Sequence, residues 1–107
     1  DRCAAEKAKE LEANWAAGRG DLVLEEWHSL QFFTAGALRA VVEALVAAGR
    51  MGEVPAVLRQ ILARYPNMRA AEVQATALDA LPMGHSATGT VSEVRRIFVS
   101  FHAAHQE

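Results

Sequence analysis

Residues 37–65 hold two apolar stripes in helical register, joined by the turn Gly49-Arg50-Met51-Gly52. Leu38, Val41, Val42, Leu45 and Val46 fall at i, i+3, i+4, i+7 and i+8, which puts them on one face of a 3.6-residue helix with Arg39 and Glu43 opposite. Val54, Val57, Leu58, Ile61, Leu62 and Tyr65 do the same after the turn. Thr34 is placed to cap the first helix and Gly49 to close it in the left-handed conformation. Pro55 falls in the first turn of the second helix, where its missing N–H removes no helical bond, and Pro66 stops that helix. A connection this short makes the two helices antiparallel.

The pattern recurs on both sides. Moved back by 31 residues, Val42, Val46, Val54, Leu58 and Ile61 fall on Leu11, Trp15, Val23, Trp27 and Leu30, and Ala47-Ala48-Gly49-Arg50 falls on Ala16-Ala17-Gly18-Arg19. Moved forward by 36, Ala37, Val41, Val42 and Leu45 fall on Val73, Ala77, Leu78 and Leu81. The last helix matches only at an offset of 40, where Val94, Ile97, Phe98 and Phe101 overlay Val54, Val57, Leu58 and Ile61, so the loop over 82–89 has gained about four residues. Asp21, Asn67 and a Thr90-x-x-Glu93 capping box are the expected starts of the outer helices.

These observations predict an all-α chain, an α-solenoid of three helix-turn-helix hairpins in units of about 3–33, 34–67 and 68–107. The six antiparallel helices are expected near 3–17, 21–31, 35–48, 53–64, 68–81 and 91–105, in a right-handed stack. At 107 residues, 51% of them apolar, the chain suffices for one small domain with a real core. It begins Asp1-Arg2-Cys3 with no initiator Met, which predicts a processed chain or a piece of a longer one.

Composition removes several function classes. The net charge of −2 gives no overall attraction for RNA or DNA. The charge is uneven: seven acidic and four basic residues make 1–33 net −3, four basic and two acidic make 34–68 net +2, and 69–107 is net −1 with four acidic and three basic. Cys3 is the only cysteine, so there is no internal disulfide. No run approaches the ~18 apolar residues that span a bilayer.

The short motifs all have plainer readings. Arg19-Gly20-Asp21 spells an adhesion tripeptide, but Gly and Asp are also what a tight turn and a helix start require. His102 and His105 lie one helical turn apart without a Cys or carboxylate beside them, so they read as the edge of a last helix near its dipole end and no metal is expected. Gly84-His85-Ser86-Ala87-Thr88 lacks the second glycine and the preceding strand of a nucleophile elbow. Gly18-x-Gly20 is too short to cradle a phosphate, and Glu25, Glu26 and His28 form a solvated or docking face beside Trp27. No catalytic residue and no cofactor site is expected.

The segment ALRAVVEALVAAGRMGEVPAVLRQILARYP resembles a pentatricopeptide repeat (PPR), whose usual phrase runs through a Lys-Ala-Gly-Arg turn into a second helix beginning Glu-Glu-Ala. The flanking units resemble it more faintly, and tetratricopeptide repeats (TPR) share the helix-turn-helix form. The PPR resemblance implies an RNA-binding module of a mitochondrion or plastid; without it the cytoplasm is the expected place. Arg39 after Leu38 stands where the family carries Tyr followed by Asn, Ser or Thr, and the small position early in the second helix holds Val54. No RNA-reading residue transfers.

The expected function is thus a non-catalytic helical-repeat scaffold that binds another protein within a larger assembly, with PPR-type RNA binding as the alternative. A short stack leaves apolar side chains at its ends. The outer side of the last helix, with Arg95, Arg96 and Val99, is the first expected contact surface, and the Phe32-Phe33 corner is the second.

Overall fold

The computed structural model describes residues 3–105, with side chains from 5 to 99. Six α-helices and no strand form among the described residues: α1 (Cys3–Ala16), α2 (Gly20–Glu26), α3 (Ala35–Ala47), α4 (Val54–Arg64), α5 (Ala70–Ala80) and α6 (Thr88–His105). Single 3-10 turns extend α2 through Trp27–Ser29 and lead into α4 and α6 over Met51–Glu53 and His85–Ala87.

The two glycine turns separated by 31 residues are the same device. Gly18 and Gly49 have φ of 81° and 75°, a region open to glycine without a side-chain penalty. After α1, the Gly18 N–H donates to the Trp15 carbonyl at 3.0 Å and the Arg19 N–H to the Asn14 carbonyl at 2.8 Å. After α3, Gly49 donates to Val46 at 3.1 Å and Arg50 to Leu45 at 2.8 Å. Both are Schellman caps, which satisfy carbonyls that a helix end otherwise leaves open. α4 and α5 end differently. Tyr65 and Leu81 each precede a proline and take extended conformations, because the proline ring excludes the helical region for its predecessor.

α3 is the central element. Ala37, Leu38, Ala40, Val41, Val42, Ala44 and Leu45 are all buried, so the expected Leu/Val face is joined by a second face of alanines. The reason is that α3 packs against α1, α2 and α5, and short side chains let helix backbones approach closely. Val46, expected in the stripe, is only partly buried. α6 packs on α4 and α5. Residues from all six helices join one apolar cluster, in which each fully buried Val or Leu stabilises the fold by ~1.5–3 kcal/mol.

Three expected helix starts are corrected, while Thr34 caps α3 by accepting from the Ala37 N–H at 3.0 Å. Asp21 does not cap α2: the Schellman turn leads straight into the helix at Gly20, with Arg19 in the capping position. Asn67 does not cap α5, because its amide donates to the Phe33 carbonyl at 2.9 Å and Arg69 takes the capping position. Thr90 starts nothing; the 3-10 turn at 85–87 runs directly into Thr88, and Thr90 lies buried within α6. The 82–89 loop expected from the repeat offset is accordingly short.

Candidate functional site

Phe33 is not a surface residue. It is fully buried, with its ring 4.9 Å from that of Tyr65 and edge-on to Trp27 at 6.1 Å. The Tyr65 hydroxyl donates to the buried Leu30 carbonyl at 2.7 Å, and Asn67 holds the Phe33 carbonyl. The segment between α2 and α3 is thereby clamped to the end of α4, and its second phenylalanine faces the core. Buried there, Phe33 offers no contact surface. Phe32 remains 38% exposed.

Arg95, Arg96 and Val99 do share an outward face. They follow one another at i, i+1 and i+4, while Val94, Ile97 and Phe98 occupy the buried side of α6. Val99 is 70% exposed, and neither arginine is ion-paired among the described residues. Met83, 99% exposed before α6, is an apolar surface residue that periodicity does not reveal because it lies in a loop. His102 and His105 have side chains outside those described, and the described residues hold no group of three or more His, Cys, Asp or Glu placed to bind a metal. Ser86 is exposed on the 3-10 turn.

A groove of about 540 Å³ runs beside the two Schellman turns. Trp15, Ala44, Ala47 and Leu24 supply apolar lining, and Asp21 and Glu25 stand on its α2 side. The hollow exists because side chains are short or missing: Gly18, Gly20, Ala44, Ala47 and Ala48 all line it. Gly20 is needed for a further reason, since a Cβ there would stand 2.9 Å from Cζ3 of Trp15. Sequence patterning misses this groove, because small residues at helix ends carry no periodic signal. The repeated Ala-Ala-Gly-Arg is the one clue it offers.

Trp15 is held from behind. Its indole N–H donates to Glu43 Oε1 at 2.7 Å, and the other Glu43 oxygen pairs with Arg39 Nε at 3.2 Å. Arg39 continues to Asp79 on α5 at 2.6 Å, so one polar chain joins α1, α3 and α5. The Asp79 bond, chiefly, raises the Arg39 pKa, against desolvation. Arg50, also lining the groove, grips Glu53 with two 2.8 Å bonds. That grip, mainly the hydrogen bonding, holds the Glu53 carboxyl below its ordinary pKa.

No family model, curated protein or solved structure matches this chain. Among the described residues no helix is long and apolar enough to cross a membrane.

Proposed function

We propose that the chain is a non-catalytic helical-repeat module, a short solenoid of three helix-turn-helix units, that binds another protein within a larger assembly. The observation that carries this reading is α6, which buries Val94, Ile97 and Phe98 on one side and on the other exposes Val99 with two arginines that have no ion pair among the described residues. Arginine is enriched at protein interfaces, whose fully buried core is apolar.

The repeat part of the reading is supported by the identical caps at Gly18 and Gly49 and by the neighbour order α1, α3, α5 with α4 beside α6. The chain measures 35 × 35 × 17 Å. Two helix layers with axes about 8–10 Å apart and Cα radii of about 2.3 Å span nearly that thickness. PPR-like packing is the first comparison for such a stack, and TPR-like packing the second.

RNA binding is the rival. Its cost is that Arg39 and Arg50, two of the four arginines in the basic middle unit, are already engaged by carboxylates. The test is co-purification from the source cells on immobilised protein, with Val99→Asp plus Arg96→Glu as the comparison and helix content checked by circular dichroism. Partner capture lost in the variant supports the reading; equal capture by both overturns the α6 surface. Tight, sequence-selective RNA binding that resists salt would overturn it in favour of the rival, since binding by a few phosphate contacts falls steeply with salt.

A further inference from the structure

We propose that the chain associates with itself head to tail, the Arg95–Arg96–Val99 face of α6 in one copy seating in the Trp15 groove of the next. This rests on the interaction-module reading and names one partner, a second copy. The groove presents an apolar floor with two carboxylates on its α2 side. Asp21 and Glu25 are four residues apart on α2, so they project from the same side, and neither is ion-paired among the described residues. The lining cation Arg50 is already held by Glu53. Two helix dipoles present their negative ends at this rim, those of α1 and α3, neither with a basic residue in its last turn, against the one positive end of the short α2 that starts there.

The α6 face offers the complement: one exposed valine for the apolar floor and two arginines, adjacent in sequence, for the carboxylates. The two surfaces cannot meet within one molecule by the packing seen, because α2 lies against α1 and α3 while α6 lies against α4 and α5. They are different patches, so a single contact is heterologous and builds rings or open chains unless a two-fold axis closes it reciprocally. One helical face in a groove of this size belongs with small, transient interfaces. Association is therefore expected only at high protein concentration, and it weakens as salt screens the exposed charges.

The experiment is sedimentation velocity on the purified chain over a rising concentration series, at low salt and again at about 0.5 M, where screening is strong. The parent is expected to sediment faster with concentration at low salt and as a monomer at high salt. Asp21→Lys with Glu25→Lys, and separately Arg95→Glu with Arg96→Glu, are each expected to lose association, and mixing the two variants to restore it. All four positions are exposed, and circular dichroism checks that helix content survives. As a readout that needs no variant, diluting the parent should shift amide resonances near Trp15, Leu24 and Ala47 together with those of Arg95 to Val99. A parent that stays monomeric throughout, or variants whose mixture stays monomeric, overturns the proposal. So does a groove that responds to an added lysine–leucine peptide but not to protein concentration, which assigns it to a foreign basic segment. None of these failures touches capture of a different protein by α6, which is judged separately by co-purification.

Discussion

Trp15 on α1 donates its indole N–H to Glu43 on α3 at 2.7 Å, across 28 residues of sequence. Helical spacing puts Glu43 on the solvent side of α3, where truncation costs nothing. The structure gives that carboxylate two partners, Trp15 of the groove and Arg39.

Glu43→Ala is therefore expected to destabilise by about 1–2 kcal/mol, because the part-buried indole N–H loses its acceptor. Glu43→Gln, which keeps an acceptor oxygen, costs less. Val42→Asp, one position away and fully buried, is expected to cost about 3–5 kcal/mol by enclosing an unpaired charge. Urea denaturation separates the three. A Glu43→Ala variant as stable as the parent would mean the indole finds another partner.

Gly36 and Glu12 form a second coupled pair. Thr34 accepts from Ala37 and donates to Glu12 Oε2 at 3.0 Å, which brings the Glu12 carboxylate over the start of α3. A Cβ at Gly36 would lie 2.5 Å from that oxygen. Gly36→Ala gains up to about 1 kcal/mol of helix propensity but displaces a bond of similar worth. It is expected to be neutral or destabilising in the parent and stabilising in a Glu12→Ala background. The same effect in both backgrounds, in a double-mutant cycle, would uncouple the pair.

Tyr65, the only tyrosine, has its phenol pKa raised by burial, with Arg64 pulling the other way. A group whose folded pKa lies above its unfolded value of ~10 contributes fully below that value and loses its contribution as pH climbs through the folded one. Tyr65→Phe is expected to cost about 1–3 kcal/mol near neutrality, since it strands the Leu30 carbonyl, and to remove part of the alkaline loss of stability. Absorbance titration in buffer and in urea reads the phenol directly; coincident curves would contradict the burial.

Glu53 titrates in the opposite sense. Its folded pKa is lowered, chiefly by hydrogen bonding to Arg50, so the clasp is complete above the unfolded carboxyl value and is lost as pH falls through the folded one. Carbon-detected NMR of the side-chain carboxyl should show a midpoint below the ordinary glutamate range, returning to it in Arg50→Gln. An unchanged midpoint in that variant would mean the clasp is not formed in solution.

The helices were legible because each owes its existence to a long-range stripe whose period survives local noise. Val54, Val57, Leu58, Ile61 and Leu62 all read as buried and are buried. What escaped was whatever depends on which element lies alongside. Asn67 looks like a cap until Phe33 is beside it, and Glu43 looks solvated until Trp15 reaches it. Phe32 and Phe33 are indistinguishable in sequence, yet the clamp from Tyr65 and Asn67 sends one inward. The groove is missed for a different reason, being lined by Gly18, Gly20, Ala47 and Ala48, small residues that carry no periodic signal. On α6, by contrast, the outward stripe was plain, because Arg95, Arg96 and Val99 fall opposite Val94, Ile97 and Phe98 in register alone.

α3 carries Leu/Val and alanine faces that are both buried, with α1, α2 and α5 packed against it, and this sets the order in which the molecule can come apart. α2 or α6 can open while leaving most of the core assembled, whereas α3 can be released only when its neighbours on both sides have already parted from it. Its central amides, around Val41 and Val42, should thus be the last to exchange with deuterium. Their exchange then measures the free energy of global unfolding, and the outer helices report smaller, local openings.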